Sequence, residues 1–315
     1  MTIKKSVALI FSIMLTTICF AQNTKTKTGN KPAAGNVNKD NSLLWEISGK
    51  GLTAPSYLYG TMHIVCSEDA KMSTGLKQAI AKAKQVYFEV DMDNMDEMMG
   101  VLSHARMDNG LKISDLVTPV EYGRLEEYFS KTKSPLPFSM MSRFKPYFIT
   151  AIISESMMEC ETKSSVEQMI MTEARNNEKD VLGLETIEFQ ASLFDKIPYE
   201  KQAQDLVKYI DSIDVYKKSA DELVGLYRKQ DINNMEKLMA KYDPGMTEYM
   251  DVLLYDRNKR WAGEISEQMF QMPTLFAVGA GHLGGEKGVI NLLRQQGFTV
   301  TALDNTKVAA EGKSL

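Results

Sequence analysis

Histidine is nearly missing from this chain: His63, His104 and His282 are the only three in 315 residues. Any imidazole chemistry must draw on those positions. Cysteine is as scarce, with Cys19, Cys66 and Cys160 and no C-x-x-C or other zinc-type spacing, which excludes a zinc ribbon and a thioredoxin-like redox motif. There is no excess of basic charge, with 37 Lys and Arg against 41 Asp and Glu, so the electrostatic footprint of a nucleic-acid binder is absent. Beyond the first twenty residues no apolar run approaches the roughly 20 residues needed to cross a bilayer, and no stable membrane insertion is expected. The His-Glu-x-x-His zinc helix, the Gly-x-Ser-x-Gly elbow and the Walker phosphate loop are all lacking. The acidic run Asp91, Asp93, Asp96 and Glu97 fails as an EF-hand, because Met95 and Asp96 stand where an oxygen ligand and a glycine are required. The methionines at 92, 95, 98 and 99 read as a packed stripe, with copper binding the remote alternative.

What is present begins with an export signal. Lys4 and Lys5 lead an apolar run from Val7 to Leu15, with small residues just before Gln22, the layout of a secretory leader cleaved after Ala21. A lipid anchor on Cys19 is the alternative, but Thr16, Thr17 and Ile18 do not supply the usual preceding residues. The expected location is periplasmic or extracellular. Residues 22–42 are Asn, Thr, Lys, Gly and Pro with almost nothing apolar, too little to offset the entropy of ordering, and read as a tether. One domain spanning 43–305 and a tail over 306–315 complete the layout. In an exported protein Cys66 and Cys160 can form a disulfide, although two buried free thiols fit the sequence as well.

Within that domain, Leu44 to Ser48 alternates apolar and polar residues, and Gly49, Gly51 and Pro55 separate it from Ser56–Tyr59, which predicts a β-hairpin. Apolar residues at helical spacing follow over 73–84, then a short strand over 86–90. From about 93 to 178 the pattern is helical and reads as an insertion. A strand at 181–184, helices over 187–262 with a break near Asp243-Pro244-Gly245, a strand at 274–278, a helix at 287–296 and a strand at 298–303 complete the chain. Strands at both ends with helices between predict an α+β fold. Its central mixed sheet is formed by the N- and C-terminal segments and surrounded by helices.

The sharpest signal is a repeated turn. Gly60-Thr61-Met62-His63 and Gly279-Ala280-Gly281-His282 each follow a strand and precede a helix, and together they use two of the three histidines. A glycine at a strand end lets the chain turn sharply and frees the side chain from the sheet. Capping or core histidines are the plainer alternative. A divalent metal would need a third ligand, typically three protein groups plus a water. Glu89 is the candidate, since it stands in the apolar strand Tyr87-Phe88-Glu89-Val90, where a buried carboxylate must be paired or coordinated. Glu185, following Val181-Leu182-Gly183-Leu184, is a second carboxylate at the same edge, or else an ordinary helix-start acid. Arg257 is placed to stabilise an oxyanion, or else to pair with Asp256. His104, in a polar stretch, reads as a surface residue. One competing motif remains: Gly279, Gly281 and Gly284 spell Gly-x-Gly-x-x-Gly, with Asp304 20 residues further on, the pattern of a dinucleotide fold.

Taken together, Tyr57 to His63, Phe88-Glu89-Val90-Asp91, Gly183-Leu184-Glu185-Thr186 with Gln190, Arg257-Asn258, and Val278 to Leu283 with Gly288 resemble the TraB/GumN family. That family includes the TIKI-type metalloproteases and is distantly similar to erythromycin-esterase and ChaN-like proteins. The resemblance implies that His63, Glu89, Arg257 and His282 converge in one cleft. It also implies a hydrolase of TIKI-like peptidase type that uses manganese or cobalt, zinc being compatible. The expected roles are His63, His282 and Glu89 as metal ligands, Glu89, Arg257 and Glu185 as catalytic groups, and a peptide or other small hydrolysable molecule as substrate. A metal-independent hydrolase of erythromycin-esterase type and a non-catalytic exported binding protein are the alternatives.

Overall fold

Leu44, Trp45 and Ile47 are buried to within 1% and face the core from a short strand, β1 (Leu44–Ser48). The chain reverses through Gly49, Lys50 and Gly51, all at positive φ, and returns as β2 (Ser56–Thr61), antiparallel to β1 in the predicted hairpin. We describe residues 41–132, 134–242 and 248–309 in a computed structural model. The leader, all but the last two residues of the tether, the expected break at 243–245 and the end of the tail lie outside the described residues.

After β2 come a two-residue strand β3 (Val65–Cys66) and helix α1 (Thr74–Lys82), whose Ser73 hydroxyl caps the Leu76 N–H at 2.9 Å. Strand β4 (Gln85–Val90) is buried along its whole length. Helices α2 (Met95–His104), α3 (Pro119–Lys131), α4 (Phe138–Met141) and α5 (Pro146–Ser156) then join a second core, which includes Ile113, Leu125 and Met141 and also takes in Val90 and later residues such as Leu206. Every residue of α5 from Pro146 to Ile153 is buried, as expected for a helix that is apolar all round.

Strand β5 (Lys163–Ser164) pairs antiparallel with β3, and α6 (Val166–Asn176) and β6 (Asp180–Glu185) lead back to the main sheet. Helices α7 (Ile187–Leu193), α8 (Tyr199–Asp211), α9 (Ile213–Arg228) and α10 (Ile232–Tyr242) follow. A π-helical turn at Asp251–Tyr255 runs into α11 (Asp256–Gln271). Strand β7 (Thr274–Gly279), helix α12 (Val289–Gln295) and strand β8 (Thr299–Ala302) close the fold. No helix among the described residues is long and apolar enough to cross a membrane.

The six-stranded sheet runs β6-β4-β7-β2-β1-β8. Only β1 is antiparallel to its neighbours, so the other five strands point one way and end at one edge. This is the expected mixed sheet of an α+β fold, with helices packed on it. It is also more than an assembly of the two chain ends, because β4 and β6 supply one side.

This topology removes the dinucleotide reading. In that fold the strand after the glycine turn lies beside the first, whereas here β2 and β1 separate β8 from β7. Asp304, just past β8, is therefore roughly 14 Å from the β7 axis across three strand spacings. The glycines serve packing instead: a Cβ on Gly284 would come within 2.8 Å of the Ile232 carbonyl oxygen, and one on Gly60 within 2.8 Å of Leu283. Cys66 and Cys160 are joined in a disulfide, which decides between the two states the sequence left open.

Candidate active site

The common edge of the parallel strands gathers the polar residues. Register places Thr61 beside Gly279 and Val90 beside Glu185, so β2, β4, β6 and β7 end together. Glu89 lies one residue short of that edge, Glu185 ends β6, and the two Gly-x-x-His turns leave from β2 and β7. Crevices at the carboxyl ends of parallel strands are where α/β sheets bind ligands.

Glu89 is 4% exposed and fully partnered. Its Oε1 accepts the Gly279 N–H at 2.8 Å, and its Oε2 accepts from Arg257 Nη2 at 2.6 Å and from Gln190 Nε2 at 3.2 Å. Burial alone would raise its pKa, but the charges of Arg257, His282 and His63 and the Gly279 N–H outweigh that and pull it from 4.5 to about 2. A glutamate in an apolar strand is thus kept ionised by its partners.

Arg257 sits in the first turn of α11 and is 3% exposed. Its Nε donates to Glu185 at 3.1 Å, and its Nη2 reaches Glu185 at 2.9 Å as well as Glu89. Its Nη1 donates to the Leu253 carbonyl, in the π-helical turn, at 3.0 Å and meets His282 Nε2 at 3.3 Å. The surface pairing with Asp256 that the sequence also allowed does not occur among these contacts. All five guanidinium N–H groups are engaged, and the longest of these contacts is the one to His282. Glu185 takes Gln190 Nε2 at 3.0 Å and also the Arg260 guanidinium. Thr186, not Glu185, caps α7, accepting from Phe189 N at 3.1 Å. Glu185 is therefore a partner of the arginine and not a helix-start acid.

His282 is 1% exposed, and its ring centroid is 4.5 Å from that of Trp261, which also packs under the Arg257 guanidinium. Its tautomer follows from its neighbours. Arginine only donates, so Nε2 accepts, and Nδ1 carries the proton and gives it to Asn258 Oδ1 at 2.5 Å. Asn258 is fixed the same way round, since its Nδ2 donates to the Lys287 carbonyl at 2.9 Å. Burial, with the charges of Arg257 and His63, lowers the His282 pKa from 6.5 to about 3 against the opposing pull of Glu89. The ring is neutral at neutral pH. Its 3.9 Å approach to Glu89 Oε1 is thus not an ion pair at neutral pH, and the Arg257 guanidinium contacts both side chains.

His63 Nδ1 is 2.7 Å from Glu167 Oε1. Burial disfavours the charged imidazole, but the Glu167 carboxylate overrides this and raises the His63 pKa, with Glu89 adding to the pull and Arg257 opposing it. Burial would raise the Glu167 pKa, and the charge of His63 lowers it instead. His63 is thus within electrostatic range of Glu89, Arg257 and His282, while direct contacts join Glu89, Glu185, Arg257 and His282 to one another. Among the described residues, no group of three or more His, Cys, Asp or Glu side chains is drawn together tightly enough to hold a metal ion. The Arg257 guanidinium contacts both Glu89 and His282.

Glu167 is the functional candidate that sequence reasoning missed. It stands in the first turn of a helix, two residues after the cap Ser165, where an acid is unremarkable, and nothing in the local pattern marks it as buried. Asn258 and Gln190 were visible as motif residues, but their contacts to His282 and to the two glutamates were not.

The fold and this edge define an α+β protein with a buried glutamate, arginine and histidine centre at the ends of parallel strands. The chain belongs to the TraB/PrgY/gumN family, whose sequence profile matches residues 43–302. Among curated proteins it is similar to metalloprotease TIKI2 of Danio rerio, at 22% identity over 87% of this chain and 63% of that protein. It is similar to metalloprotease TIKI1 of Homo sapiens at 21% identity, over 96% of this chain and 71% of that one. A third relative, the metalloprotease TIKI homolog of Nematostella vectensis, is 20% identical over 82% of this chain and 66% of its own length. The chain thus spans between 63% and 71% of the length of these three relatives. No solved structure matches it.

Proposed function

We propose that this protein is an exported metal-dependent hydrolase of TIKI-like peptidase type, acting on a peptide or another small hydrolysable substrate. The observation that carries the reading is that His282 is held neutral, Nδ1–H on Asn258 and Nε2 lone pair beside Glu89 and Arg257. An imidazole nitrogen that accepts, here from Arg257 over a long 3.3 Å contact, beside a carboxylate is what a metal ligand or a general base requires.

The donors suit a divalent cation in kind. Each imidazole has an acceptor behind Nδ1, the support found behind metal-ligating histidines, and Glu89 adds carboxylate oxygens. His63, His282 and Glu89 would hold the ion, and manganese, cobalt or zinc is compatible with such a nitrogen and oxygen set. When bound it would supply an acidified water and a polarised carbonyl. Of the chain's own groups, Arg257 would stabilise the oxyanion through Nη1, whose contact to His282 is the longest it makes. Glu185 would hold the guanidinium plane through Nε and Nη2 while that happens.

A metal-free hydrolase of erythromycin-esterase type is the second reading. Arg257 bridging Glu89 and His282 favours it, because that bridge leaves an acid, a base and a cation already assembled. In that case His63 or His282 activates water and Glu89 orients it.

Metal analysis of the purified protein, with cleavage of a peptide library before and after exhaustive chelation, separates the two. The metal reading expects about one ion per chain, lost in His63→Ala and in His282→Ala. Equal content in all three proteins would sink it, and cleavage that survives chelation would establish the second reading.

A further inference from the structure

We propose that Glu167 is a positioning residue for this centre, holding the Nδ1 of His63 protonated and so fixing which ring nitrogen is left to act. The proposal rests on the reading of His63 as a functional residue.

Three observations support it. First, Glu167 Oε1 lies 2.7 Å from the His63 ring nitrogen Nδ1, an ion-pair contact outside aligned hydrogen-bond geometry in which the carboxylate's charge favours a proton on the facing nitrogen. Glu167 thereby selects the His63 protonation pattern in the way Asn258 selects that of His282, with a charge in place of an amide. Second, Glu167 is 3% exposed although it stands in the first turn of α6, where the helix dipole would favour an acid equally well in solvent. Turning it inward carries a desolvation cost unless a partner compensates, and its partners include His63 and the Ser165 hydroxyl, which donates to Oε2 at 2.9 Å. Third, the chain carries a separate device that brings the two together. His63 precedes β3 by two residues and Glu167 follows β5 by three. The pairing of Val65 with Ser164 and Cys66 with Lys163, together with the Cys66–Cys160 disulfide, fastens the two short strands to each other. The ribbon stands apart from the main sheet, and it connects the loop that carries His63 to the helix start that carries Glu167.

The scarcity of histidine makes the test direct. Imidazole 15N NMR of the oxidised, tether-containing protein at mildly alkaline pH reports three rings, assigned by His63→Gln and His104→Gln. In the wild type, His63 is expected with its proton on Nδ1. In Glu167→Ala the proton is expected to move to Nε2, the form free histidine prefers, while the His282 resonances stay in place. In Glu167→Gln the amide oxygen can still accept, so Nδ1–H is expected to persist while Mn2+ affinity, followed by titration calorimetry, falls at least tenfold. A His63 proton that stays on Nδ1 in Glu167→Ala, with His282 unchanged, overturns the proposal. If Glu167→Ala does not fold, loss of Nδ1–H in Glu167→Gln overturns it, and its retention upholds it. A wild type that binds no Mn2+ but shifts its His63 tautomer as expected defeats the metal reading and leaves the positioning role standing.

Discussion

Arg257 Nη2 lies 2.6 Å from Glu89 Oε2 with both side chains almost wholly buried, joining the first turn of α11 to the carboxyl end of β4 across 168 residues of sequence. Removing one partner of such a pair leaves an uncompensated buried charge, here on Glu89, while Glu185 keeps the Arg260 guanidinium as a partner. Arg257→Ala is therefore expected to lower unfolding stability by about 4 kcal/mol. Arg257→Lys is expected to recover only part of this, because an ammonium cannot reproduce the fork that spans both carboxylates. Urea unfolding followed by circular dichroism measures both, and a loss below 1 kcal/mol in Arg257→Ala would refute this account of the pair.

Acid should act on the same residue. The Glu89 pKa is depressed in the fold, from 4.5 to about 2, so the unfolded chain takes up its proton first as pH falls. Its contribution is complete above pH 4.5 and is lost as pH drops toward 2; a shift of this size corresponds to about 3 kcal/mol. Glu89→Gln removes that dependence. Its stability curve is expected to be flatter than the wild type's between those pH values, although lower at neutral pH. Equal slopes for the two proteins would show that Glu89 is not the group responsible.

The sequence carried much of this centre because its signals were local. A glycine turn after a strand is readable in four residues, and Glu89 was conspicuous as a charge inside an apolar strand. What it could not carry were the contacts made by topology. Glu185 looked like a helix-start acid as readily as a second carboxylate of the site, and only the parallel pairing of β4 with β6 sets it opposite Arg257. The glycine pattern at 279–284 fitted a dinucleotide turn until β2 and β1 were seen between β7 and β8. Glu167 carried no signal at all, since its meaning comes from a residue 104 positions earlier.

The disulfide should matter to stability beyond its neighbourhood. It closes a separation of 94 residues, and in the chain-entropy picture a loop of that length is stabilised by about 4 to 5 kcal/mol. Cys66→Ser with Cys160→Ser, or reduction of the wild type, is expected to lower the unfolding midpoint clearly. The His63 resonances are expected to broaden while those of His282, held from α11 and β7, stay sharp. A midpoint insensitive to reduction would mean that the β3–β5 ribbon is held by pairing and packing alone.

The two imidazoles differ in what stands behind them, and exchanging that feature tests whether the difference is functional. His282 is backed by the neutral amide of Asn258, and burial leaves it with a pKa of about 3. Asn258→Asp would place a carboxylate at the same 2.5 Å contact, as Glu167 does for His63, and is expected to raise the His282 pKa, which imidazole NMR measures directly. The ring's Nε2 lone pair would then be lost to protonation at a higher pH than in the wild type. The acid limb of any hydrolytic pH profile should move in the same direction. Asn258→Ala removes the acceptor without adding charge. It frees the tautomer and is expected to cost 10-fold to 100-fold in metal affinity or rate, the usual effect of losing such a partner. If Asn258→Asp raises the His282 pKa while the acid limb stays where it was, His282 is not the group that must be neutral for the reaction, and the requirement passes to His63.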